Sequence, residues 1–162
     1  MLRQTVLFNG TDASGRAGIW ETNGTAAGTY ELTGVVNGVF NPADFVAFNG
    51  EVLFQGQDTS LLYGIWETNG TAAGTSEIGG FGSTGINGAN SGGLIKNLNP
   101  DFTVFNGEVL FQGVDATGFH GLWVTDGTAL DTTEIGPPDV FGIDYHPDFT
   151  VFNSGCCSPA YL

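Results

Sequence analysis

The stretch GIWETNGTAAGT runs from Gly18 to Thr29 and returns letter for letter from Gly64 to Thr75. It recurs loosely as GLWVTDGTALDT from Gly121 to Thr132. A chain of 162 residues that makes one statement three times is built from one small unit used three times. Working outward, ADFVAFNGEVLFQGQD at 43–58 matches PDFTVFNGEVLFQGVD at 100–115. PDFTVFNSG at 147–155 is a third copy, cut off after its turn, and its continuation, TVLFNGTD at 5–12, stands at the other end of the chain. The aromatic markers keep step: Trp20, Trp66 and Trp123 lie 46 and 57 residues apart, as do Phe8, Phe54 and Phe111. The longer spacing comes from GSTGINGANSGG at 82–93, which reads as an extended surface loop.

Within a unit the pattern is that of strands. Apolar and polar residues alternate in DFTVFNGEVLF, and Asn106-Gly107 separates two such runs. Asn-Gly is the favoured pair for a two-residue hairpin turn, because both central positions need positive φ. Hairpins are expected at Asp101–Phe105 with Glu108–Gln112, and at Asp44–Phe48 with Glu51–Gln55. A third strand carries the Trp, as at Gly64–Thr68, and a fourth follows at Thr75–Ile78. No segment has helical periodicity, so almost no helix is expected.

Such a unit suits an all-β fold of propeller-type blades, with three four-stranded antiparallel units per chain. A β-trefoil, which also has three four-stranded repeats, is the alternative; a solenoid needs shorter repeats. The propeller is favoured because a blade must cross from its outer strand back to the next inner one. The variable Gly/Pro-containing stretches at 33–43, 79–99 and 136–147 serve as those crossings. One repeat domain then covers 1–155, with units at about 5–42, 43–99 and 100–146, and 147–155 the first strand of a unit split between the termini. Residues 156–162 form a tail. Three blades are too few to close around an axis, so Asp148–Phe152 is expected to pair with Val6–Phe8 of another molecule. That gives a homo-oligomer, as a ring or a fibre.

The phrase VLFNGTDASGRAGIWETNGTAAGT resembles the ELWxxDGT repeat of large bacterial proteins, through the W-x-T-[ND]-G-T core at Trp20–Thr25, Trp66–Thr71 and Trp123–Thr128. The resemblance spans all three units. It departs in Gly-Ile or Gly-Leu before Trp, and in Asn for Asp in two copies. It implies propeller-like blades and an extracellular or cell-surface setting, and it brings no catalytic residues.

Composition narrows the partners. Seventeen acidic residues stand against Arg3, Arg16 and Lys96, a net charge of −14. Nucleic acid calls for the opposite sign, and no apolar run approaches the roughly 20 residues that would insert into a bilayer. Met1-Leu2-Arg3-Gln4 leads directly into a strand-like run, without a secretory segment. Cys156 and Cys157 are adjacent, a poor geometry for bridging each other, and are candidates for interchain bonds or free thiols.

The chemistry-bearing candidates recur with the repeat. Asp12, Asp58 and Asp115 follow the second strand of each unit and are candidate Ca²⁺ ligands, since calcium takes six to eight oxygens in irregular loops. One carboxylate per loop is thin for that, and the plainer reading is an Asp side chain accepting nearby backbone amides. Asp44, Asp101 and Asp148, and Glu31, Glu77 and Glu134, invite the same comparison. The Asn/Asp-Gly-Thr steps read as turns closed by hydroxyls. Trp20, Trp66 and Trp123 could stack sugars in a multivalent, lectin-like propeller, but one Trp per unit at a fixed strand position reads better as core between blades, with Phe8, Phe54 and Phe111. His120 and His146 fall at non-equivalent places and suggest no catalytic set. The reading is a non-enzymatic, self-associating assembly module, with carbohydrate binding as the alternative.

Overall fold

The computed structural model describes residues 4–35, 38, 40–80, 100–115, 119–137, 141 and 147–152. The insertion at 82–93, His146 and the cysteine pair lie outside them, as do large parts of the crossings at 79–99 and 136–147.

The described residues are all-β and form three antiparallel sheets, each from a contiguous piece of chain. The first sheet holds β1 (Val6–Thr11), β2 (Ala17–Thr22) and β3 (Thr29–Glu31). The second holds β4 (Phe40–Phe48), β5 (Glu51–Gln57), β6 (Tyr63–Thr68) and β7 (Thr75–Gly80). The third holds β8 (Thr103–Phe105), β9 (Glu108–Val114), β10 (His120–Thr125) and β11 (Thr133–Glu134). Every sheet is a meander in chain order.

Both expected hairpins form. Asn49 and Gly50 have φ of 50° and 86°, and Asn106 and Gly107 have 53° and 85°, the left-handed pair that a two-residue turn matched to strand twist demands. The first strand of each hairpin departs from expectation. Asp44 and Asp101 take φ of 52° and 55°, which interrupts the ladder, so regular pairing of β8 begins only at Thr103. The interruption is a bulge rather than an end: the Gln112 N–H donates to the Pro100 carbonyl at 2.7 Å, as Ala43 pairs with Gln55 in the second sheet. Among the described residues helix is confined to single 3₁₀ turns at Ala26–Gly28 and Ala72–Gly74, capped by the hydroxyls of Thr25 and Thr71.

A glycine pair explains the shape of the opening motif. Gly10 faces Gly18 across β1 and β2, and Gly113 faces Gly121 across β9 and β10. A Cβ on Gly10 would stand 2.8 Å from Nε1 of Trp20, and one on Gly113 would stand 2.8 Å from Nε1 of Trp123. The indole therefore lies flat over the neighbouring strand in space that a missing side chain leaves. Gly18 and Gly121 similarly seat the carboxyl groups of Glu31 and Glu134. Phe8, Phe54 and Phe111 pair directly with Trp20, Trp66 and Trp123 across each sheet.

Because strand side chains alternate, the Ile or Leu before each Trp faces the opposite way. Ile19 of the first sheet packs with Phe54 and Trp66 of the second. Ile65 of the second packs with Phe111 and Trp123 of the third, while Phe48 and Leu53 meet Val109 alongside. The second sheet is thus buried on both faces, and each fully buried large apolar side chain there contributes about 1.5–3 kcal/mol.

The Gly113→Ala variant is expected to lose about 1–3 kcal/mol, because the new methyl must displace an indole with no free volume around it. Thermal or urea unfolding measures this; an unchanged midpoint would mean that the glycine seat is not required.

Candidate functional site

Two features stand out once the three sheets are compared position by position. The first sheet has three strands where the others have four, and among the described residues β1 has a single neighbour, β2. Its residues are correspondingly less covered. Trp66 and Trp123 are 0% and 1% exposed while Trp20 is only half-buried, and Val6 is 60% exposed where its counterpart Val109 is 0%. The missing member is the first strand of the unit, which in the other sheets brings a phenylalanine to the row. Phe45 stacks on Phe54 at 5.4 Å between centroids, and Phe102 meets Phe111 at 5.7 Å.

The second feature is residues 147–152, which carry the sequence of that strand but form no ladder. Asp148 has φ of 53°, the same left-handed setting as Asp44 and Asp101. Phe149, the counterpart of Phe45 and Phe102, rests edge-on against Phe141 at 6.0 Å. Val151 is exposed and Phe152 is 83% exposed. A largely exposed segment whose Asp148 already has that left-handed φ lies in the same molecule as a sheet that, among the described residues, lacks that strand.

The repeated aspartates act locally. Asp12 Oδ1 accepts the N–H groups of Ser14 and Arg16, at 2.8 and 2.9 Å. Asp58 Oδ1 accepts those of Ser60 and Leu62, at 2.8 and 2.9 Å, and Asp115 Oδ1 accepts that of Phe119 at 2.9 Å. Each carboxylate closes the loop between the second and third strands of its unit, as the turn reading expects. Among the described residues no three His, Cys, Asp or Glu side chains converge as a metal-holding group.

The Asn/Asp-Gly-Thr turns are closed by a chain of hydroxyls that repeats three times. The Thr29 hydroxyl donates to the Thr25 carbonyl at 2.8 Å, so its contact with Thr22 at 2.6 Å must be one that it accepts. Thr22 in turn accepts the Gly24 N–H at 3.1 Å. Thr68 with Thr75, and Thr125 with Thr132, repeat the pair at 2.7 Å, and all four of those residues are buried.

A pyranose has no access to the rings of Trp66 or Trp123, which are fully buried, while Trp20 is half-buried. His120 is buried, and its Nδ1 accepts from Nε2 of Gln112 at 2.7 Å, which places the ring proton on Nε2. A cleft of about 270 Å³ lies between the first sheet and the start of β4, lined by Asp12, Arg16, Glu31, Leu32, Val35 and Phe40. Arg16 spans it, its guanidinium 5.0 Å from the Phe40 ring.

The sequence reading missed the Ile19, Ile65 and Leu122 positions and the left-handed aspartates. The signal for the first was present: the residue before each Trp is always Ile or Leu, and alternation sends it to the other face.

Burial raises the Glu77 carboxyl above its usual range, with Asp58 adding repulsion, and burial raises Glu134, with Asp115 adding the same. Folding therefore favours the protonated forms, and the stability they contribute is lost as pH rises from the ordinary value of 4.5 through the elevated folded values. Asp12 and Asp126 behave oppositely. Hydrogen bonds, led by the Arg16 N–H and by the Thr128 hydroxyl respectively, hold them below 3.8, so their contribution fades only in stronger acid. The Glu77→Gln variant is expected to melt higher than the parent at about pH 7 and alike at about pH 4, as thermal melts across pH will show. No protein-family model matches the chain, and neither a curated protein nor a solved structure is significantly similar to it.

Proposed function

We propose that the chain is a non-catalytic assembly module of propeller-type blades, which joins copies of itself by lending residues 147–152 to the free edge of β1 in a neighbour. The observation that carries this reading is the backbone of Asp148. Its φ of 53° matches the 52° and 55° of Asp44 and Asp101, so the segment is already shaped as the strand that the first sheet lacks. Pairing would cover an edge that is otherwise a template for uncontrolled aggregation, and would bring Phe149 to the aromatic row begun by Phe8 and Trp20. The register of β8 on β9 is Thr103 with Leu110, Val104 with Val109 and Phe105 with Glu108. Carried over by the repeat, it sets Thr150 opposite Leu7, Val151 opposite Val6 and Phe152 opposite Thr5.

Two chains joined this way make a six-bladed ring; a rotation that does not close makes a fibre. The setting at the cell exterior rests on the resemblance to ELWxxDGT repeats, and Cys156 and Cys157, which follow the lent segment in sequence, are candidates for an interchain bond. Calcium would enter as an added ligand of the Asp12, Asp58 and Asp115 loops.

Native mass at micromolar concentration tests the reading. An oligomer is expected, reverting to monomer when residues 147–162 are removed; a strictly monomeric full chain rejects it. Chelator is expected to lower the melting temperature if calcium is bound, and an unchanged melt removes calcium from the account.

A further inference from the structure

Lending a strand leaves open which faces of the two copies meet. The packing inside the chain has a direction. Ile19 of the first sheet meets Trp66 of the second, and Ile65 of the second meets Trp123 of the third. In each step the residue before the Trp covers the Trp of the sheet that follows. A parallel contact accompanies it, Leu53 of the second sheet against Val109 of the third.

At the two ends this ladder is incomplete. Trp20 has no preceding sheet and is half-buried, and Leu122, the counterpart of Ile19 and Ile65, has no following sheet and is half-buried. Val6 is 60% exposed where Val109 is 0%, and Leu110 is half-buried where its counterpart Leu53 is 1%. Among the described residues no core cluster joins the first sheet to the third. The two open faces are the two halves of a contact whose Ile-on-Trp part the chain makes twice within itself and whose Leu-on-Val part it makes once.

Resting on the self-assembly reading above, we infer that the joint is tail-on-head: the third sheet of one copy docks on the first sheet of the next, Leu122 on Trp20 and Leu110 on Val6. The occupant of the open Trp20 face is therefore a second copy of this chain. The four side chains named are uncharged, which lets a chain of net charge −14 meet itself without burying carboxylates there. A tail-on-head contact is heterologous, so head never meets head and tail never meets tail.

Two full-length variants test this. Val6→Lys spoils the head and keeps the tail, while Leu122→Lys spoils the tail and keeps the head; both are checked by thermal melts, with Leu122→Gln used if the lysine lowers the melting temperature. Sedimentation across concentration is expected to show each variant alone with its dissociation constant raised about thirtyfold or more. Mixed in equal amounts they form a one-to-one dimer that grows no further, because one intact tail faces one intact head. A joint sensitive to only one of the variants would be head-on-head or tail-on-tail and overturns the inference. So does a mixture that associates no better than its parts. Wild-type assembly indifferent to both variants overturns the joint and spares strand lending; a monomeric wild type overturns both.

Discussion

The structure depends on an indole laid flat on a glycine. Trp20 and Trp123 occupy space over Gly10 and Gly113 that any side chain would fill. This placement turns the broad face of the ring toward the neighbouring sheet. A Trp standing upright from a strand would hold two sheets apart; one lying down offers a smooth apolar surface on which the Ile of the preceding sheet rests. The same choice explains why the repeated phrase begins Gly-Ile-Trp. In the second copy Ile65 serves the third sheet on one side and Trp66 serves the first sheet on the other, while Gly18 and Gly121 of the flanking copies make room for the Glu31 and Glu134 carboxyl groups. Three adjacent residues thus satisfy three different surfaces, and that leaves little freedom for the phrase to drift between copies.

The second half of the phrase solves a polar problem that the first half creates. Stacked sheets bury the end of the Trp strand, including Thr68 and Thr125 at its last position. Buried hydroxyls and amides without partners cost about 1–3 kcal/mol each. The Thr–Thr pair, the Gly N–H and the Thr carbonyl form a closed relay in which each hydroxyl donates once and accepts once. The relay survives in the third unit although Ala-Ala-Gly-Thr becomes Ala-Leu-Asp-Thr, because it needs only the threonines and the turn. Its polar atoms are spoken for internally, so the turns hold the sheet ends together without offering a reactive group.

Much of this was legible from residues alone, and the limits have physical causes. Asn49-Gly50 and Asn106-Gly107 announced their hairpins because few pairs tolerate two successive positive φ angles. The Phe and Trp markers announced a core because large aromatics at constant spacing have few other uses. Asp44, Asp101 and Asp148 were opaque: an Asp before a strand looks the same whether it ends a turn or takes the left-handed angle of a bulge. The loop aspartates were ambiguous for a related reason, since the oxygens that accept backbone N–H groups are the ones a cation would use. The stacking order of the sheets could not be had without coordinates, because alternation says that Ile19 and Trp20 face opposite ways but not what each of them meets.

Repetition also changes what an exposed surface means. In a chain without repeats, a half-buried Trp20 and an exposed Val6 would be ordinary surface, since folded proteins leave much apolar area in water. Here the Trp20 position is enclosed in both following units and the Val6 position in the third, so the chain itself supplies the reference for what their surroundings should be. A repeat that packs by nearest-neighbour contacts has no intrinsic end; each terminal unit needs either a polar cap or another unit. The first sheet presents Val6, Phe8 and Trp20 in place of polar residues, and among the described residues it has three strands where the other sheets have four. Residues 147–152 carry that fourth strand's sequence and, at Asp148, its left-handed backbone angle. An end built with the same apolar residues as the interior has the composition of an interior surface, and that is the basis of the self-assembly proposal.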